Sequence, residues 1–295
     1  MLAPQNEGRR KSGGAFRERE LEEIESKSAV RPTVVFEVIR REGVLEARRP
    51  VSALALSGVV AGFAIGFSVL AEGLLRRFLP DAPWRPLIEN LGYSVGFLIV
   101  ILGQMQLFTE NTITPVASLL IQRSRAMWLG LVKIWSVVLL ANIGGAALFA
   151  LFALRSGALP PETLDAMRAI SAKATGYGFE GTLVRGVPAG WLIAALVWIG
   201  PSAGAGWALI IVALTYLIAL ADMTHVVAGS VEAALLVFDG KMGLVPAARD
   251  FALPALIGNV IGGSALFTLL VWGQIRAELP RAGMAERDPE ETDSP

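Results

Sequence analysis

The sequence predicts an all-α polytopic membrane protein of six spans, built as an inverted repeat whose second and fifth helices are broken. Three observations carry that prediction. Apolar runs of about 20 residues, the length that crosses a bilayer's hydrocarbon, recur along the chain. Only 18% of the 295 residues are charged and 54% are hydrophobic, where a soluble protein has about 25% charged. Two of the runs, in corresponding places, are too long and too polar at their middles to be plain helices.

From the N-terminus, the first 50 residues hold 11 Lys and Arg. Residues 1–31 read as a flexible cytoplasmic tail, polar and without an apolar core that could serve as a cleavable signal. In 32–50, Val34, Val35, Val38, Ile39, Val44 and Leu45 alternate with Glu37, Arg40, Arg41, Glu46, Arg48 and Arg49, the pattern of an amphipathic helix on a membrane surface. A channel domain over 51–276 follows, with spans at roughly 52–75, 88–121, 127–154, 182–200, 206–238 and 251–275, joined by short polar or Pro/Gly-marked connections. Residues 277–295 form an acidic tail placed in the cytoplasm. Counting Lys and Arg outside the spans, with Arg185 at the end of the fourth, gives 16 on the side of the termini against nine on the other, which puts both termini in the cytoplasm.

The second span holds Gln104, Gln106, Thr109, Glu110, Asn111, Thr112, Thr114 and then Pro115; the fifth holds Asp222, Thr224, His225, Gly229, Ser230 and Glu232. Backbone freed by a helix break must be buried in protein or line a wet cavity. The third and sixth spans match as well, through Asn142 to Gly145 and Asn259 to Gly262, each Asn-x-x-Gly. Three spans per copy is odd, so the second copy enters the membrane upside down.

His225, the single histidine, is an ionisable group at membrane depth and so a functional candidate; it can be neutral or cationic near physiological pH. Thr109, Asn111 and Thr112 are candidate donors to a permeant species or caps for broken helix ends. Glu110 and Asp222 would repel an anion and are expected to face protein donors, to lie off the narrowest part or to be protonated. Phe97, Leu107, Phe108, Ile193 and Ile218 read as core residues or as apolar constrictions. Gly62, Gly66, Gly144, Gly145, Gly262 and Gly263 suit close helix contacts, and Lys133 suits an interfacial position.

Zero net charge points to no nucleic-acid partner, and the absence of Cys excludes disulfides. No nucleotide-binding loop, metalloprotease motif or nucleophile elbow is present, so no enzyme activity, metal or cofactor is expected.

Leu107-Phe108-Thr109, the DMTH ending at His225 and the two Asn-x-x-Gly helices make residues 32–276 resemble the formate/nitrite transporter family. The resemblance implies an aquaporin-like fold, one pore per protomer, a homopentamer in the bilayer of a bacterial inner membrane, and a small monovalent anion such as formate or nitrite as cargo. It carries the family's loop threonine onto Thr109, its central histidine onto His225 and its constrictions onto Leu107 and Phe97, with Tyr93 nearby; Ile193 and Ile218 fall near further narrow points. It also sets Asn142, Gly145, Asn259 and Gly262 in helix packing. The chain departs from the pattern at Glu110, where a small residue is usual, at Thr224, where an acid often precedes the histidine, at Gly190 for an asparagine, and at Ala174 for a vestibule lysine, with Lys173 adjacent. The expected function is a pH-dependent, proton-linked anion or weak-acid pathway through His225. The alternatives are an aquaporin-like conductor of neutral solutes or ammonia, and a membrane scaffold with a sealed pore.

Overall fold

In a computed structural model that describes residues 30–278, helix follows helix with no strand among the described residues. The tails expected at 1–31 and 277–295 lie outside the described residues except at 30–31 and 277–278. The helices are α1 (Pro32–Arg48), α2 (Val51–Phe78), α3 (Arg85–Leu102), α4 (Thr114–Ile121), α5 (Arg125–Arg155), α6 (Pro161–Ala174), α7 (Gly178–Ser202), α8 (Gly204–Leu220), α9 (Val226–Phe238) and α10 (Leu244–Ile275). Five of them, α2, α3, α5, α7 and α10, are long and apolar enough to cross a membrane, and α8 and α9 are shorter apolar helices.

The second and fifth predicted spans are each interrupted. Residues 103–113 part α3 from α4, with a single 3-10 turn at Glu110–Thr112; residues 221–225 part α8 from α9. The two interruptions share one backbone path. The residue two before each departing loop carbonyl turns left-handed, Gln104 at φ 50° and Asp222 at φ 52°. Met105 N donates to Val100 O at 3.0 Å, as Met223 N does to Ile218 O at 2.9 Å.

The long helices pair in the same repeated way. Gly58 and Gly62 of α2 let it lie against α5, and Gly186 and Gly190 of α7 let it lie against α10; a β-carbon at Gly62 would strike the Asn142 carbonyl, and one at Gly190 the Asn259 carbonyl. Gly145 and Gly262 return the contact, facing Val59 O and Val187 O. Between helices surrounded by lipid there is little hydrophobic gain, so such close backbone approach is what holds them. Gly144 departs from the expectation, for nothing lies within reach of its missing side chain.

Several boundaries move. The third-to-fourth connection contains α6, whose Thr163, Met167, Ile170 and Ser171 form a buried stripe at helical spacing. The sixth span starts at Leu244 rather than 251 and includes π-helical stretches at Ala247–Ala252 and Ile261–Thr268. Helix α1 turns Val35, Phe36 and Ile39 onto Ile113, Ala117, Phe267 and Ile275, while Val34, Val38 and Leu45 stay exposed. Lys133 does more than reach an interface: its Nζ donates to Ala47 O at 2.6 Å and Arg49 O at 3.0 Å, satisfying carbonyls at the C-terminal end of α1.

Candidate functional site

Two buried asparagines build the site by holding its loops. Asn142 Oδ1 accepts from Phe108 N at 2.8 Å, and its Nδ2 donates to Gly58 O and Gln106 O, each at 2.8 Å. Asn259 Oδ1 accepts from Val226 N at 2.8 Å, and its Nδ2 donates to Gly186 O and Thr224 O, also at 2.8 Å. Each amide thus satisfies a donor and an acceptor that the helix break leaves without partners, Phe108 N with Gln106 O and Val226 N with Thr224 O, and ties them to a carbonyl of the neighbouring helix. Asn142 and Asn259 lie in the helix contacts, their backbones against Gly62 and Gly190, and their side chains add a clamp on the loops. Because the clamped groups flank Leu107 in one half and His225 in the other, these two residues occupy equivalent positions of the repeat.

Thr109 and His225, one from each loop, meet at the centre with Oγ1 2.7 Å from Nε2. His225 also caps α9, its Nδ1 accepting from Ala228 N at 3.2 Å. A ring nitrogen that accepts has no proton, so Nε2 carries it and donates to the Thr109 hydroxyl. The Thr109 oxygen accepts this bond and keeps its own hydrogen to offer. The aromatic ring of Phe97 meets the imidazole edge-on with centroids 5.0 Å apart, and Tyr93 lies 5.1 Å behind Phe97. Leu107, Phe97, Ile193 and Ile218 are fully buried in the same apolar cluster, a dry environment in which a bare ion would be costly. Phe108 points to Trp135, 5.9 Å between centroids.

One cavity of about 110 Å³ reaches His225 and Thr224 from the side of α6 and α8. Charged residues crowd it. Lys173 Nζ donates to Asp222 Oδ1 at 2.7 Å, so Asp222 faces a protein donor, one of the placements expected for it. Arg76 binds Glu89 at 3.1 Å, and Arg85 binds the same carboxylate at 3.3 Å. Arg185 lies 4.0 Å over the Tyr177 ring. Glu72 and Glu232 complete the wall. Thr109, Leu107, Phe97, Ile193 and Ile218 are not among the groups lining this cavity; the four apolar ones belong to the buried cluster, and Thr109 is buried against His225.

On the side of α1 and α4 the first loop is tied by a polar network. Asn111 Nδ2 donates to Gln106 Oε1 at 3.1 Å, Gln106 Nε2 donates to Glu46 Oε1 at 3.0 Å, and Thr114 Oγ1 donates to Glu46 Oε2 at 2.7 Å. The Asn111 side chain therefore serves the loop. Thr112 likewise turns back to Thr109 O at 2.8 Å. Burial raises the Glu46 carboxyl above its ordinary range, against the pull of its bonds to Thr114 and Gln106. Glu110 Oε1 is buried without a hydrogen-bond partner, so of the three outcomes expected for this carboxyl, protein donors are not found at that atom.

The sequence reading singled out the Thr109–His225 pair and Asp222 but gave no role to Glu72, Glu232 or Gln106. A glutamate inside an apolar helix was the available signal for Glu72.

Comparison with known proteins adds lineage to this geometry. Residues 33–273 match the family described as formate/nitrite transporter. The chain is 38% identical over 270 residues to the inner membrane protein YfdC of Escherichia coli strain K12, covering 92% of this chain and 87% of that one. Among solved structures, an FNT family ion channel superposes with a TM-score of 0.69 at 19% identity, covering 82% of this chain and 99% of the other. A pentameric formate channel with formate bound superposes with a TM-score of 0.65 at 19% identity, covering 77% and 98%.

Proposed function

Because the chain belongs to the formate/nitrite transporter family, we propose that it conducts small monovalent anions or their conjugate acids, formate and nitrite being the type, through a pH-dependent path proton-linked at His225. The observation that carries this reading is the 2.7 Å contact between Thr109 and His225, made by the two helix interruptions and surrounded by buried apolar side chains. An anion desolvated there would face a large penalty, which a proton removes. The hydroxyl of Thr109, polarised by the imidazole N–H, then donates to the cargo, while Leu107, Phe97, Ile193 and Ile218 keep out hydrated ions.

In this reading α3 with α4, and α8 with α9, each make one broken span, giving six crossings with both termini in the cytoplasm of a bacterial inner membrane. Helix α1 lies at that surface with Val34, Val38 and Leu45 outward. The protomers assemble as a homopentamer, a state in which the structurally similar formate channel is described. No catalytic step, metal or cofactor enters the mechanism.

Uptake of labelled formate and nitrite into proteoliposomes between pH 5 and 8, beside glycerol and ammonia, tests the proposal. The expected result is formate and nitrite uptake that rises with acidity and falls at least about tenfold in His225→Asn. Uptake of glycerol or ammonia alone would contradict it.

A further inference from the structure

Among the described residues, the charged side chains facing the cavity below His225 are paired, with two exceptions. Asp222 holds Lys173, and Glu89 holds Arg76. His225 has both ring nitrogens engaged, one by Ala228 N and one by Thr109, so neither is free for a cargo in the cavity. The Tyr177 ring is covered by Arg185. Glu72 and Glu232 remain: their side chains are 4% and 6% exposed, they line the cavity, and neither makes a hydrogen bond or ion pair. The Tyr93 ring of α3 lines the same cavity.

Position favours Glu232. His225, Gly229 and Glu232 all line the cavity, at the i, i+4, i+7 spacing that puts residues on one face of a helix. Glu232 therefore stands two turns, or about 10 Å, along α9 from the imidazole, on the route from the cavity. Glu72 reaches the same cavity from α2. In the first half of the repeat the place equivalent to Glu232 is Thr114, and its hydroxyl binds the carboxyl of Glu46.

We infer that Glu232, backed by Glu72, is the group with which cargo exchanges a proton before it reaches His225, so that the cavity passes small weak acids and turns back permanent anions. The inference rests on the transport reading above and adds where the proton is acquired. An ionised carboxylate repels an anion beside it. A carboxylic acid has one proton to give: its O–H bond breaks as the cargo's O–H bond forms, the neutral acid moves on, and the Glu232 carboxylate is reprotonated by a hydronium ion entering from the bulk solution, which leaves as water, so one proton is consumed for each anion carried. In either state the species that passes Glu232 is the protonated one.

The experiment uses full-length protein in liposomes containing a pH dye, with formate as the weak-acid probe and thiocyanate as the permanent anion. Wild type is expected to take up formate with internal acidification, increasingly as pH falls from 8 to 5, and to exclude thiocyanate. Glu232→Gln is expected to cut formate uptake about tenfold and flatten its pH profile, Glu232→Asp to restore most of both, and Glu72→Gln to flatten the profile partially. Wild-type flux and profile in Glu232→Gln would overturn the inference and leave the transport reading standing. If Glu232→Gln fails to assemble, an unchanged profile in Glu72→Gln overturns it instead. A wild type that takes up neither formate nor nitrite overturns the transport reading, and the inference falls with it.

Discussion

At the scale of single residues, the two clamping asparagines bear the heaviest structural duty. Asn142→Ala would strand Phe108 N and Gln106 O, and each unsatisfied buried group costs about 1–3 kcal/mol. The expected loss is about 2–4 kcal/mol, read as a lower midpoint in detergent thermal unfolding, and Asn259→Ala should lose a similar amount. A midpoint unchanged in either variant would contradict the clamp. Gln104 sits exposed at φ 50°, a conformation that costs an L-residue about 1–2 kcal/mol; Gln104→Gly is therefore expected to raise the same midpoint. Thr109 and His225 were legible because polar residues at the centre of an apolar run have few bland uses. Glu72 was not, since nothing local says which wall of which cavity a lone glutamate will face. The asparagines were seen as a repeated pair, but their use as clamps depends on loops that fold back from elsewhere in the chain.

At the scale of elements, α1 is joined to the first loop through the carboxyl of Glu46. Burial raises that group, and it raises Glu42 beside it, with the charge of Glu46 adding to the effect. A carboxyl whose folded pKa lies above its unfolded one binds more protons in the docked state, so docking is strongest at low pH and weakens as pH rises through the folded pKa. Hydrogen exchange of α1 amides, corrected for intrinsic chemistry, should show protection growing on acidification from pH 8 to 5, and Glu46→Gln should remove the trend. Protection that grows with rising pH would contradict the assignment. The amphipathic pattern of 32–50 announced a helix, yet pattern alone could not tell which apolar residues meet protein and which stay outside. Helix α6 was missed because its polar length hid a narrow stripe of Thr163, Met167, Ile170 and Ser171. Its consequence is functional, for α6 brings Lys173 to Asp222.

At the scale of the whole molecule, the repeat explains why one chain makes a site between two loops. Met105 pairs with Val100 as Met223 does with Ile218, Gly62 serves Asn142 as Gly190 serves Asn259, and Leu107 stands where His225 does. That symmetry was readable from the paired interruptions and the Asn-x-x-Gly repeats, whereas the divergence of the two halves, an apolar residue against an imidazole, is what the paired spacing left open. Exposed Leu56 and Val60 of α2 and Leu140, Leu148 and Phe152 of α5 leave apolar faces for lipid or for neighbouring copies. Native mass spectrometry from mild detergent is expected to give five times the 31.4 kDa chain; a dominant monomer would contradict the pentamer. On the transport reading, cargo crosses where the halves touch, at Thr109 and His225. Formate uptake by liposomes containing Thr109→Val and Thr109→Ser tests it most directly. The account predicts that serine, which keeps the hydroxyl, retains most of the flux while valine loses about tenfold or more with assembly intact; valine flux equal to wild type would contradict it.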